Sequence, residues 1–282
     1  MLASVEITPI LPGLSPVAGK PILARFDGDL LSSDGGLLAL RETEQRLGIA
    51  RRLGACIEDP RMPGRVVHGL DEIIRFRMLM IAAGYEDGND ADTLRRDPMF
   101  KLAMERLPEA ADLCSQATIS RMENLPGPRA LLRMGLSMVE HYCMSFRKVP
   151  KQIILDIDDT FDAVHGAQQL RLFNAHHDEY GFQPIVVFDG DGRMVAAVLR
   201  PACRPSGRQI AKWLRRLIDL VVRDDLIIRG LCRPERLTVG FQLVPWQPVL
   251  ERRLNQHISG VRRDDGGIEW SFSRKRQIGL GL

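Results

Sequence analysis

Two carboxylates, Asp156 and Asp158, close the apolar run Gln152-Ile-Ile-Leu-Asp-Ile-Asp-Asp-Thr160. Side chains alternate between the faces of a strand, so these two share one face while Leu155 and Ile157 share the other. Carboxylates so close either raise one another's pKa or recruit a divalent cation, and hard oxygen donors suit Mg²⁺ or Mn²⁺ holding a phosphate. The chemistry expected is metal-dependent phosphoryl transfer, set against the plainer reading of a solvated acidic loop after a strand. His165, His176 and His177 lie in the connection that follows. His165, in a His-Gly-x-Gln run, is the foremost candidate for a metal or acid/base role, although a turn at Gly166 explains that run equally well, whereas adjacent His176 and His177 point apart on a strand and read as surface residues.

Two further groups suit DNA contact. Gln116, Thr118, Ser120 and Arg121 fall on the exposed side of a helix predicted over Gln116–Leu125, as in the second helix of a helix-turn-helix. A capped amphipathic helix with Ile119 and Met122 inward explains that pattern as well. Arg215, Arg216 and Arg223 decorate the polar face of a helix predicted from Ser206 to Val222, and would either follow a phosphate backbone or be solvated. The acidic run from Glu86 to Asp92 is excluded as an EF-hand, because its glycine is misplaced and position twelve from Asp87 is Pro98. A cap-and-turn role is expected there.

The elements that position these residues change character along the chain. Met1–Lys20, with Pro9, Pro12 and Pro16, has no sustained periodicity and reads as an extended or loosely ordered arm. Helical spacing begins at Ser33, with Ser33 or Asp34 able to cap and Gly48 and Gly54 as punctuation. Further helices are predicted over Gly69–Ala83, where apolar positions are too many for one narrow stripe, and over Asp90–Arg95, Pro98–Leu107, Gln116–Leu125 and Pro128–Phe146. At Lys151 the period switches to two. Strands are predicted at Gln152–Asp158, Pro184–Phe188 and Met194–Leu199, the last two joined by the turn Asp189-Gly-Asp-Gly192, with a fourth at Leu226–Ile228 after the Ser206 helix. Three strands, a crossover helix and a fourth strand form the core order of a ribonuclease-H-like fold. Beyond Arg229, Val249–Ile258 suits a short helix and Gly260–Leu282 is polar and Arg-rich, without a strand to aim Asp264, Asp265 or Glu269.

Composition narrows the classes. With 282 residues, 45% of them apolar and 27% charged, the chain can bury a core and is neither disordered nor fibrous. No apolar run approaches the ~20 residues that cross a bilayer, and the start lacks the pattern of a signal peptide, so a cytoplasmic protein is expected. Five widely spaced cysteines indicate reduced packing residues and neither disulfides nor a zinc cluster. Residues 204–282 carry 16 Lys and Arg against 8 Asp and Glu, so the net charge of +3 arises from a basic C-terminal part. Of 39 basic residues 33 are Arg, which suits phosphate binding but also follows from a codon bias.

Two families resemble this chain at the acidic strand. The D-x-D-x-T run resembles the haloacid-dehalogenase-like phosphatases, which would make Asp156 the nucleophile and Asp158 the acid/base. Lys212 and Asp224-Asp225 are that family's other candidates, although they precede the Leu226 strand. A broader resemblance rests on several blocks: Leu31-Ser-Ser-Asp-Gly-Gly-Leu-Leu38, Gly84-Tyr-Glu-Asp-Gly-Asn-Asp90 with Leu94-Arg-Arg-Asp-Pro98, and Ser115-Gln-Ala-Thr-Ile-Ser-Arg-Met-Glu-Asn124. Leu155-Asp-Ile-Asp-Asp-Thr160 with His165-Gly-Ala-Gln168, Tyr180-Gly-Phe-Gln-Pro184 and Leu199-Arg-Pro201 complete them. In order and spacing these resemble the DDE transposases of bacterial insertion sequences, of the group-one DDE-domain branch related to the piggyBac transposases.

That resemblance implies an α+β or α/β chain, an N-terminal all-helical domain followed by an incomplete ribonuclease-H-like domain. The expected parts are an arm (1–24), a helical DNA-binding region (25–148), a partial catalytic core (149–230) and a divergent or out-of-frame basic tail (231–282). It implies DNA partners (terminal inverted repeats and target), a homodimer, no membrane, a nucleoid-associated bacterial location, and strand cleavage and transfer with Mg²⁺ or Mn²⁺. The first catalytic Asp maps to Asp158, with Asp156 as its neighbour, both as metal ligands; the DNA-binding candidates are Arg121, Gln116, Thr118, Arg215 and Arg216. The family's second Asp directly follows an Arg-Gly or Arg-Ala at the end of the fourth strand, whereas here Arg229-Gly230 is followed by Leu231-Cys232. An inactive or impaired copy, or a remnant that only binds DNA, is therefore expected.

Overall fold

The structure is a computed structural model that describes residues 11–23, 33–148, 150, 152–164, 166, 168–203, 209, 212–213, 215–217, 238–243, 256–262 and 268–274. It is a mixed α+β chain that divides into two compact units, Met1–Met134 and Gly135–Leu282.

The helices are α1 (Leu37–Leu47), α2 (Ile49–Ala55), α3 (Leu70–Ala82), α4 (Ala91–Leu94), α5 (Pro98–Ala103), α6 (Gln116–Glu123) and α7 (Pro128–Met144). Helix α1 starts at Leu37 rather than Ser33, with Gly36 at its N-cap, and the Leu37 N–H donates to the Asp34 carbonyl at 3.0 Å. Gly48 ends it in the left-handed region, at φ 63°, and that turn lets α2 begin at once. The next cap comes from the preceding helix: the buried Glu44 carboxylate accepts from the N–H groups of Ile49 (3.2 Å) and Ala50 (2.9 Å). Glu44→Ala is expected to cost about 1–2 kcal/mol, read as a lower midpoint in chemical denaturation. Gly54 lets α2 and α3 approach closely, since a Cβ there would lie 3.1 Å from the Asp71 backbone nitrogen, and a larger residue would push the two helices slightly apart. Helix α3 is the hub. Its Ile73, Phe76, Leu79 and Met80 are buried with Leu37, Ala50, Phe100 and Ile119, and Phe76 and Tyr85 both meet the Phe100 ring edge-on.

The N-terminal segment is not loose where it is described. The Arg41 guanidinium, 2% exposed, donates to the carbonyls of Ser15 (3.0 Å) and Pro16 (3.1 Å), while Glu42 accepts from the Ser15 N–H and hydroxyl. Val17 is buried. A proline-rich run hides its docking partners from a periodicity argument, because beside the local Val17–Lys20 backbone pair its contacts to Arg41 and Glu42 are tertiary.

The second unit is built on the sheet order β6-β5-β1-β7: β1 (Gln152–Asp159) is antiparallel to β5 (Ile185–Asp189) and parallel to β7 (Thr238–Leu243), and β6 (Met194–Val198) edges β5. Leu155, Ile157, Val187 and Val195 form its core with Val139, Tyr142 and Cys143 of α7 and with Leu217. Gln209, Lys212, Trp213, Arg215, Arg216 and Leu217 are helical, with Trp213 and Leu217 packed on this core and Lys212, Arg215 and Arg216 exposed. The β5–β6 turn falls where predicted and is pinned by Asp189, which accepts from Arg193 Nε at 2.7 Å and from the Arg193 N–H at 2.8 Å.

Three features depart from expectation. The connection from β1 to β5 folds into a small sheet of its own, β2 (Asp162–Ala163), β3 (Leu172–Asn174) and β4 (Glu179–Phe182), in the order β2-β4-β3. Gln256–Ile258, the end of the helix predicted at Val249–Ile258, belong to strand β8 (Gln256–Arg262), while residues 249–255 lie outside the described residues; β8 pairs with β9 (Ile268–Arg274), so Glu269 does sit on a strand. In that hairpin Ile258 is the register partner of Phe272 and Gly260 that of Trp270. The strand predicted at Leu226–Ile228 lies outside the described residues, as do Arg223, Asp224 and Asp225.

Candidate functional site

Burial along β1 follows the two-residue period: Ile153, Leu155 and Ile157 are buried, Ile154 is exposed, and Asp156 and Asp158 are half-buried on the Ile154 face. The two carboxylates therefore share the open face of the sheet's inner strand. Across β5 their register partners are Phe188 for Asp156 and Val186 for Asp158, and across β7 Asp156 is level with Gln242. Asp189 pairs with Leu155 and so belongs to the opposite, core face.

Asp158 Oδ1 accepts the Asp159 N–H at 2.9 Å. Partial burial pushes the Asp158 pKa up, that hydrogen bond opposes the shift, and the neighbouring Asp159 charge adds to it. Asp156 Oδ1 is buried without a hydrogen-bond partner. A buried carboxylate oxygen with no donor is where a cation would satisfy the charge, so this face fits a divalent ion. It is half a site, since among the described residues no group of three or more His, Cys, Asp or Glu is placed to hold a metal. Just past the pair, Asp159 Oδ2 accepts from Gln183 Nε2 at 2.5 Å and the Thr160 N–H donates to the Pro184 carbonyl at 3.2 Å, which closes the neck of the β1–β5 connection.

The histidines are arranged differently from the sequence expectation. His176 and His177 sit in the turn between β3 and β4 instead of on a strand, with rings edge-on at 4.9 Å, and His177 stacks on Phe161 at 4.2 Å. Both are exposed, and His165 lies outside the described residues.

Among the DNA candidates, Arg121 is exposed on α6, while Gln116 and Thr118 are half-buried. The Gln116 N–H donates to Asp92 (3.1 Å) and the Thr118 hydroxyl pairs with Ser115 (3.2 Å). Residues 104–115 separate α5 from α6, far more than the three- or four-residue turn of a helix-turn-helix. Buried Lys101 folds that connection back, donating to the carbonyls of Pro108 (3.1 Å) and Ala110 (2.8 Å). Asp87 takes the cap-and-turn role, accepting from the Asn89 N–H at 2.9 Å. Of the cysteines, Cys114 and Cys143 are buried, Cys56 half-buried and Cys203 exposed; burial pushes the Cys114 thiol up to about 12, as for an inert packing residue.

Two parts of the chain about fifty residues apart, Ser33-Asp34 and the stretch from Tyr85 to Asp97, meet in the first unit. Ser33 and Asp34, Tyr85 and Asp90, and Thr93, Leu94 and Asp97 line one cleft, in which the Tyr85 hydroxyl donates to Asp34 at 3.1 Å. Asp97 also caps α5 through the N–H groups of Met99 (2.7 Å) and Phe100 (3.1 Å).

A family model described as transposase DDE domain, group 1, matches residues 14–233. A second, described as a protein of unknown function, matches residues 236–279. No curated protein and no solved structure matches the chain. Because the first match spans most of the 282 residues, the chain belongs to the DDE transposases of group 1. That family works in DNA transposition and generally uses divalent metal ions. The phosphatase reading is not favoured: the family model takes in the whole D-x-D-x-T run, and Lys212, its cationic candidate, is exposed. No helix among the described residues is long and apolar enough to cross a membrane.

Proposed function

We propose that this chain is a transposase that binds the terminal inverted repeats of a bacterial insertion sequence, as a homodimer, through its helical region 25–148. Residues 149–230 form the ribonuclease-H-like core, in which Asp158 and Asp156 hold Mg²⁺ or Mn²⁺. When bound, the ion supplies Lewis-acid polarisation of a DNA phosphodiester and a more acidic attacking hydroxyl. The chain's own part is to aim two carboxylates from a rigid inner strand, one already lacking any other partner for its buried oxygen. The observation that carries the reading is this pair on the open face of a strand flanked by an antiparallel and a parallel neighbour.

The same sheet supports an impaired copy. The strand parallel to β1 is β7, which lies past the transposase match and inside the second one. Its residues Thr-Val-Gly-Phe-Gln-Leu include no carboxylate. We infer that the tail after residue 230 has a separate origin and fills the place beside β1 without bringing the second Asp. Cleavage of DNA carrying the element's ends, in Mg²⁺ or Mn²⁺, is the test.

DNA contact is assigned to Arg121, Gln116, Thr118, Arg215 and Arg216. If Arg215 and Arg216 follow the phosphate backbone, their joint replacement by Ala should weaken end binding in all sequences alike and lower the salt slope of log K by about 2, one unit for each phosphate contact removed. An unchanged slope in a titration from low to high salt would leave them as a solvated helix face.

A further inference from the structure

Among the described residues neither buried apolar cluster includes the small sheet β2-β4-β3, and three strands this short do not hold together without a cover. One face is closed from within. The Phe161 ring lies so close over Gly181 that a Cβ there would come within 2.7 Å of it, and the His177 imidazole stacks on Phe161 at 4.2 Å and 8° from parallel. The other face is left open. Phe173 and Tyr180 are register partners and so share it, with ring centroids 5.3 Å apart and exposures of 49% and 50%. The Arg171 guanidinium lies over the Tyr180 ring at 4.8 Å.

We propose that this face is a stacking platform for unpaired nucleotides of the DNA strand next to the bond to be cut. This deepens the transposase reading and rests on it. The chemistry favours bases over backbone. Apart from Arg171, the charged residues of described positions 168–183 are Asp178 and Glu179, a poor surface for duplex phosphates, whereas exposed rings beside a guanidinium are what nucleobases stack upon. Placement favours the vicinity of the cut. The sheet occupies the connection that leaves β1 at Asp159 and returns at Pro184, and its neck is tied to the end of β1 through Asp159–Gln183 and Thr160–Pro184. A strand whose phosphate reaches Asp158 thus brings its neighbouring bases to this sheet, and unstacked bases near a reacting phosphate need a surface to receive them.

The test uses the full chain in Ca²⁺ or chelator, so that cutting plays no part, and two element-end DNAs. One is blunt and the other carries a three-nucleotide flap with 2-aminopurine. Phe173→Ala with Tyr180→Ala should weaken flap binding about tenfold or more and leave blunt-end binding unchanged. Tyr180→Phe should keep flap binding, because stacking needs the ring and not the hydroxyl. Phe173→Leu keeps the apolar bulk and guards against misfolding; it should lose flap preference too. Equal flap binding in all variants, with blunt binding intact, overturns the platform alone. Wild-type protein that binds neither DNA overturns it together with the DNA-binding reading. Variants that lose self-association but keep flap binding assign the face to a second copy of the chain, and also overturn the proposal.

Discussion

DNA carrying the flanking element's ends is expected to be bound but left uncut by this chain in Mg²⁺ or Mn²⁺, and to be cut by a chain re-framed after Gly230. The physical reason is the number of carboxylates. In-line displacement at a phosphodiester requires charge to be neutralised at both the attacking and the leaving oxygen, which in two-metal sites takes two ions held by three or more carboxylates. Strand β1 supplies two, and β7 places Gln242 level with Asp156. Losing a metal-binding carboxylate removes several kcal/mol of transition-state stabilisation, or about a thousandfold and more in rate. Cleavage by the chain as it stands would mean that a carboxylate outside the described residues completes the site, and would end the proposal of an impaired copy. Cleavage by neither chain, with binding intact, would count against the placement of the family's second Asp after Gly230.

In a cleavage-competent chain, Asp158→Ala is expected to reduce metal-dependent cutting by about a thousandfold or more while end binding stays within a factor of two. The separation matters, because Asp158 is on the open face of β1 and the proposed DNA contacts are on α6 and around Arg215. The same carboxylate has an opposite effect on stability. Burial raises its pKa in the folded state, so the folded chain holds that proton more tightly than the unfolded one. The strain is fully present above the folded pKa and disappears below the unfolded value of 3.8. Asp158→Asn should therefore leave metal-free protein as stable or more stable at neutral pH, with no gain in acid. A destabilised Asp158→Asn protein at neutral pH, measured by thermal unfolding in chelator, would show that the carboxylate serves the fold and not a ligand.

Much of the frame was legible in the residues. Helix α3 lies within a residue of the predicted bounds at each end, because its apolar positions form a wide stripe at helical spacing, bounded by Gly69 and Gly84. β1, β5, β6 and their turn followed from the two-residue period and from Asp189-Gly-Asp-Gly192. The partly legible elements were those whose partners are distant. Docking of Ser15–Val17 depends on Arg41 and Glu42, and the cap of α2 on Glu44 of the helix before it. No local pattern announces either bond. The small sheet was missed because β2, β3 and β4 are too short to show a period, and its decisive residue, Gly181, reads as an ordinary glycine until the Phe161 ring is laid over it.

Residue type and spacing alone determined that Asp156 and Asp158 share a face, since alternation is a property of any extended chain. The family resemblance adds an expectation, that a second Asp follows Gly230, where Leu231 stands. Only the tertiary structure decided which face that was, by burying Leu155 and Ile157 against α7 and leaving the carboxylates on the open side. It alone decided what stands beside them, because strand neighbours are chosen by long-range pairing: β7, more than eighty residues further on, takes the place next to β1 and sets Gln242 level with Asp156.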